Sequence, residues 1–167
     1  MVFSSLVFIF FFLPLNIILY YATKNYTLKN LILIVFSLVF YAWGEPVWVC
    51  LLLISTIVDY FNGLFIEDRR GTIWAKLSII ITVLFNLGIL ITFKYSDFII
   101  SNINQLLGSS FVEPHYLLPI GISFYTFQSI SYCIDVHKGQ VKAQRSFIKY
   151  LLFISLYHQL VAGPIVR

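Results

Sequence analysis

A row of polar side chains runs through an otherwise apolar stretch of the chain, residues 117–136 (LLPIGISFYTFQSISYCIDV). Its members share one helical face: Gly121, Tyr125, Gln128, Tyr132 and Asp135. They fall within an arc of roughly 80°, because each residue of an α-helix advances about 100°. Phenol, amide and carboxyl groups can bind or orient a polar substrate, and at membrane depth they are costly enough to be functional candidates. Spacing alone leaves two interpretations open: hydrogen bonding between helices, or the lining of a substrate cavity.

A second, weaker row lies earlier in the chain. Ser55, Asp59 and Asn62 share one helical face within about 60°. Two interpretations of Asp59 stay open. It either forms a structural cap or ion pair, with Arg69 or Arg70 as the partner, or it contributes to the same cavity as the first row.

Other polar side chains in apolar stretches carry weaker signals. We interpret Asn86 as a packing amide, and Cys50 and Cys133 as small buried residues without disulfide or metal-ligand spacing. His158 lies in the last apolar stretch and is a weak candidate for a general base. The residues indicate neither a nucleophile-activating triad nor a metal site.

The composition is that of a membrane protein. Hydrophobic residues make up 60% of the chain, charged residues 11%, and the mean hydropathy is +0.91. A soluble domain carries about 25% charged residues, so the soluble class is excluded. The net charge of +4 is scattered over loops, which does not indicate nucleic-acid binding.

Six apolar segments must position these side chains. They cover residues 3–21, 30–43, 46–66, 76–95, 117–136 and 147–162. We therefore predict an all-α polytopic membrane protein with about six transmembrane helices. The more polar residues 96–116 are expected to form one interfacial helix and a loop. The short second segment forms either a full span or a re-entrant hairpin with the third, and we favour two spans.

The distribution of basic residues favours that choice. Six spans place nine lysines and arginines on one side and two on the other, a strong positive-inside bias. The nine are Lys24, Lys29, Arg69, Arg70, Lys76, Lys138, Lys142, Arg145 and Lys149. The pattern predicts an N-terminus outside and cytoplasmic loops at 23–29, 67–75 and 137–146.

Three stretches resemble a known family. LPIGISFYTFQSISYCIDVHKGQ (118–140), QLVAGPIVR (159–167) and FYAWGEPVWVCLLLISTIVDYFNG (40–63) are similar to membrane-bound O-acyltransferases (MBOAT). They most resemble the bacterial branch that includes the membrane subunit of alginate O-acetylation. The resemblance implies helices around a cavity that crosses the bacterial inner membrane. It also implies transfer of an acetyl group from a cytoplasmic carrier to hydroxyls of an extracytoplasmic polysaccharide, without a bound cofactor and alongside partner acetylation proteins.

The resemblance also sets limits on this chain. The family's Phe-Pro pair stands here as Tyr157-His158, so His158 occupies a proline position rather than a catalytic one. The motif turn of Gln159, Gly163 and Pro164 is expected to end the last helix.

The family's essential histidine belongs to a later helix, beyond Arg167, so no catalytic residue is assigned here. We therefore interpret residues 1–167 as a single transmembrane domain, the N-terminal portion of a longer acyltransferase that is inactive alone. Two alternative functions stay open: a small transporter of polar substrates that uses Asp59, Gln128 and Asp135, and a non-catalytic membrane assembly subunit.

Overall fold

The computed structural model describes residues 5–44, 46–108 and 110–162, and within these ranges the regular structure is helical. A π-helical turn, Phe8–Phe12, leads directly into the first α-helix. The α-helices are α1 (Leu13–Ala22), α2 (Tyr26–Gly44), α3 (Trp48–Asp68), α4 (Ile73–Lys94), α5 (Ser96–Leu107), α6 (Ile122–Lys138), α7 (Phe147–Ser155) and α8 (Tyr157–Ala162). The all-α class is therefore confirmed.

Among the described residues, three helices are long and apolar enough to cross a membrane: α2, α3 and α4. Because α2 and α3 each reach that length, the structure supports two spans rather than a re-entrant hairpin. The helical run Phe8–Ala22 is apolar but shorter. Helix α6 has 17 residues, and its polar row makes it less apolar than the three long helices. The structure is that of an all-α membrane protein, and the predicted number of about six spans stays a prediction.

The last apolar segment is broken in two, whereas the sequence predicted one span over 147–162. Leu156 leaves the helical conformation (φ −58°, ψ 112°). The freed N–H of Tyr157 donates to the Ser37 hydroxyl of α2 over 3.3 Å, and the Asn16 amide donates to the Tyr157 hydroxyl over 3.2 Å. Side chains of α1 and α2 therefore satisfy groups at the break, as a bilayer requires.

Helix α6, which carries the polar row, is delimited by two glycines. Gly121 and Gly139 both adopt φ = 77°, a left-handed conformation that glycine reaches without a Cβ clash. The helix begins at Ile122, three residues after Pro119. The Gly139 N–H bonds to the Val136 carbonyl over 3.1 Å and closes the C-terminal end.

Helices α3, α4 and α6 pack together through small polar residues. The buried members are Ser55, Thr56 and Asp59 of α3, Ser78, Thr82 and Asn86 of α4, and Thr126, Ser129 and Cys133 of α6. Small side chains at spacings of three and four residues let membrane helices approach closely. This seam fixes one face of α6 and turns the face that carries Gln128 and Asp135 toward α7.

Helix α5 is confirmed within the predicted interfacial segment. It has no buried residue, and Phe98, Leu106 and Leu107 are exposed, an amphipathic pattern typical of a helix that lies in a membrane interface. The expectation that both cysteines are buried is right for Cys133 and wrong for Cys50, which lies exposed on α3.

Candidate functional site

A cavity of about 290 Å³ lies between α6, α7 and the loop that connects them, residues 139–146. The lining residues come from all three: Gln128, Ser131, Tyr132, Asp135, Val141, Lys142, Gln144, Lys149, Tyr150 and Phe153. Three of the four side chains singled out in the polar row, Gln128, Tyr132 and Asp135, thus lie on one cavity. Two lysines and one carboxyl group give its lining a mixed charge.

Gln128 makes a hydrogen bond between helices and also lies on the cavity. Its side-chain amide donates to the Phe153 carbonyl over 2.9 Å. This carbonyl belongs to the last turn of α7, where helix ends leave backbone oxygens without partners. Gln128 therefore joins α6 to the interrupted helix and also lines the cavity.

Tyr132 fixes the position of the loop. Its hydroxyl accepts the Gln144 N–H over 2.8 Å, and its ring packs against the Tyr150 ring with centroids 4.9 Å apart. A Cβ added to Gly63 of α3 would lie 2.8 Å from Tyr132 Cε1. Any side chain at position 63 would therefore require the Tyr132 ring to shift.

The two remaining candidate side chains of the row, Asp135 and Tyr125, lie near opposite ends of α6. Asp135 is half-buried at the loop end of α6 and lines the cavity. Tyr125 is 1% exposed and packs in the hydrophobic core with Leu52 and Leu90. Tyr125 does not line this cavity, because α3, α4 and α6 are closely packed at its level.

The cavity loop is fastened to the end of α3 by Glu67. One carboxylate oxygen accepts the Ala143 N–H over 3.0 Å, and the other accepts from the Arg145 guanidinium over 2.8 Å. Asp68 adds a second bond to the same guanidinium, at 3.1 Å. The hydrogen bond to Asp68, the charge of Asp68 and the charge of Glu67 raise the pKa of Arg145 above its ordinary value.

Tyr60 of α3 completes the attachment of the loop. Its hydroxyl donates to the Arg145 carbonyl over 2.7 Å. Glu67 and Tyr60 thus hold both sides of the loop segment that carries Gln144, a cavity-lining residue. No local sequence pattern predicted these contacts, because α3 and the loop lie far apart along the chain.

The second polar row belongs to the seam. Asp59 is fully buried, and the Asn86 amide donates to its Oδ1 over 2.8 Å. The expected ion pair with Arg69 or Arg70 is not formed: Arg70 instead donates to the Val136 carbonyl of α6 over 2.7 Å. Arg70 binds the end of α6 because Asp59 lies more than two helical turns away from it along α3. Asn86, predicted as a packing amide, is the hydrogen-bond partner of the carboxyl group.

The C-terminal motif is only partly described. Gln159 is half-buried, and its N–H bonds to the Leu156 carbonyl over 2.9 Å. Gly163 and Pro164 lie outside the described residues, so their turn stays a prediction. His158 is exposed and does not line the cavity.

The cavity can bind and orient a polar group. Its lining offers amide, phenol and hydroxyl hydrogen-bonding groups, one carboxyl group and two ammonium groups. Among residues 5–44, 46–108 and 110–162, no cluster of three histidine, cysteine or acidic side chains is placed to hold a metal ion.

These features define the class of protein. The chain is an all-α membrane protein with a cavity beside an interrupted helix, and its sequence is similar to proteins named for O-acetylation. A probable alginate O-acetylase AlgI of Pseudomonas aeruginosa is 40% identical over 176 residues, which cover 100% of this chain and 33% of that protein. A probable alginate O-acetylase AlgI of Pseudomonas putida is 41% identical over 176 residues, covering 100% of this chain and 35% of that protein.

A third relative acts on another polymer. The peptidoglycan O-acetyltransferase of Helicobacter pylori is 32% identical over 195 residues, covering 100% of this chain and 37% of that protein. No protein-family model and no solved structure matches the chain. The relatives confirm the predicted resemblance to the membrane subunit of alginate O-acetylation, and the chain spans about a third of the length of the curated relatives it matches.

Proposed function

We propose that this chain forms part of the membrane domain of a bacterial O-acetyltransferase that modifies an extracytoplasmic polysaccharide. The observation that carries the proposal is homology over the whole chain to enzymes named for O-acetylation of alginate and of peptidoglycan. The nine-to-two distribution of basic residues supports a multi-pass arrangement in the inner membrane with the N-terminus outside.

The cavity between α6 and α7 is the part of this chain proposed to meet a polar substrate. Gln128, Tyr132 and Asp135 line it, and the loop that closes it carries Lys142. In the proposed topology this loop is cytoplasmic. The cavity then opens on the side from which the resemblance implies that a carrier delivers the acetyl group.

This part of the enzyme positions groups rather than supplying the base. Acyl transfer to a sugar hydroxyl requires a base within about 2.6–3.2 Å of the proton that it removes. The cavity lining contains no histidine, and His158 is exposed. We therefore assign the base to the portion of the full enzyme that this chain does not span, and we expect residues 1–167 alone to transfer no acetyl group.

A hybrid enzyme tests the proposal. The segment of the Pseudomonas aeruginosa relative that aligns with this chain is replaced by residues 1–167, and the hybrid is expressed in a strain that lacks its own enzyme. Ester-linked acetate on the surface polymer should return with the hybrid and be absent with residues 1–167 alone. A hybrid that reaches the membrane at the native amount and restores no acetate, when the native enzyme does, would contradict the proposal. So would acetate restored by residues 1–167 alone.

A further inference from the structure

A carboxyl group lies near the middle of α3, inside the seam of the bundle. Asp59 has no exposed surface. Its neighbours are Asn86 of α4 and, on α6, Ser129 and Cys133, whose thiol lies 3.9 Å from the Asp59 carbonyl. Asp59 is not among the residues that line the cavity, and it meets a neighbouring face of α6.

The polar atoms around this carboxyl group include more hydrogen-bond acceptors than donors. The Asn86 amide nitrogen donates to Asp59 Oδ1 over 2.8 Å and to the Thr82 carbonyl over 3.0 Å. Asp59 Oδ2 and Asn86 Oδ1 are both buried without a partner among the described residues. Both atoms accept hydrogen bonds if the carboxyl group is ionised. A proton on Asp59 Oδ2 turns one of them into a donor for the other.

The lack of a positive charge next to Asp59 also favours a protonated carboxyl group. Among the described residues, no basic nitrogen lies within 4.0 Å of its carboxyl group. Arg70, which is near in sequence, bonds to the end of α6. The titratable groups that face Asp59 are Cys133 of α6 and Tyr150 of α7, and neither brings a positive charge. An ionised carboxylate buried without a cation is strongly unfavourable.

We propose that Asp59 is a proton-binding site, a neutral carboxylic acid that forms a cyclic pair with the Asn86 amide. In this pair Asn86 donates N–H to Asp59 Oδ1, and Asp59 donates O–H from Oδ2 to Asn86 Oδ1. The pair joins α3 to α4 beneath α6. Loss of the proton leaves an unpaired charge inside the seam and loosens the packing of α6, which carries the cavity.

Infrared spectroscopy of the protein in lipid bilayers tests the protonation directly. At neutral pH the C=O stretch of a protonated carboxylic acid should be present, shift in D₂O and disappear in Asp59→Asn. In Asn86→Ala the band should persist at a changed frequency, because the acid loses its amide partner. If the spectra of the unsubstituted protein and of Asp59→Asn differ only in the carboxylate stretches, the proposal is overturned. That result would mean that Asp59 is ionised and accepts a hydrogen bond from Ser129.

The pH dependence of stability gives an independent test. The folded state holds a proton that the unfolded chain releases at neutral pH, so stability should fall as the pH rises. Asp59→Asn keeps the shape of the neutral acid and should remove this dependence, whereas Asp68→Asn, at an exposed carboxyl group of the same helix, should retain it. Equal pH dependence in all three proteins would refute the proton site. Stabilisation by sodium that is lost in Asp59→Asn would also refute it, in favour of a cation site.

If Asp59→Asn does not fold, the unsubstituted protein still decides the question. Labelling with ¹³C-carboxyl aspartate should move the protonated band to lower frequency. Absence of any aspartic acid band that responds to the label at neutral pH would overturn the proposal.

Discussion

Gly63→Ala tests how tightly the cavity is positioned. The added methyl group would lie 2.8 Å from Tyr132 Cε1 and 3.4 Å from the Tyr132 hydroxyl oxygen. The ring has little room to retreat, because the Tyr150 ring packs on it with centroids 4.9 Å apart. We therefore expect Tyr132 to move and to lose its 2.8 Å hydrogen bond from the Gln144 N–H.

The expected cost combines opposing effects. Overpacking costs about 1–3 kcal/mol and the lost hydrogen bond about 0.5–1.5 kcal/mol, while alanine improves the helix by about 1 kcal/mol. The net destabilisation of Gly63→Ala is then roughly 0.5–3.5 kcal/mol. Gly88→Ala on α4 is the matched control, since a Cβ there meets nothing within 4 Å. It should leave stability unchanged or raise it by up to about 1 kcal/mol.

Two measurements check this expectation in the purified protein. The free energy of unfolding in mixed detergent micelles should fall for Gly63→Ala and not for Gly88→Ala. Hydrogen exchange at the Gln144 amide should accelerate in Gly63→Ala only. If Gly63→Ala is as stable as Gly88→Ala and protects the Gln144 amide as well, Tyr132 is not held as described.

Three further predictions concern the site and its orientation. In the hybrid enzyme, Gln128→Leu should lower acetylation more than it lowers the amount of enzyme in the membrane; equal losses would leave Gln128 a packing role only. Glu67→Ala should cost about 1–3 kcal/mol, because it leaves the backbone N–H of the loop unpaired. Asp68→Ala should cost less, since that carboxylate makes only an exposed ion pair, and thermal unfolding that ranks the two variants in reverse would refute the attachment of the loop by Glu67. On a cysteine-free background, an impermeant thiol reagent added outside should label Ser110→Cys and not Lys142→Cys, and the reverse pattern would invert the proposed topology.

Periodicity predicted the polar face but not what each member contacts. Gln128 and Asp135 both line the cavity, because residues seven positions apart lie on the same face of a helix. The same rule grouped Tyr125 with them, yet Tyr125 lies in the core. How far a cavity extends along a helix depends on how closely other helices approach, and one helix's sequence does not contain that information.

Contacts between distant parts of the chain could not be predicted from the sequence. Glu67 bonds to Ala143 across 76 residues. Chain proximity suggested Arg69 or Arg70 as the partner of Asp59, but the observed partner, Asn86, is 27 residues away. The break at Leu156 had no local signal either, because groups from α1 and α2 satisfy the residue that follows it.

Blocking the cavity is the most direct test of the account. In the hybrid enzyme, Ser131→Trp would place an indole at a position that lines the cavity, whereas Phe127→Trp introduces the same side chain one turn earlier on α6, at a position that is 53% exposed and does not line the cavity. The quantity to measure is ester-linked acetate on the surface polymer per hybrid molecule in the membrane. We expect a large loss with Ser131→Trp and little change with Phe127→Trp. Undiminished acetylation by Ser131→Trp, or equal losses from both substitutions, would contradict a role for this cavity in acetyl transfer.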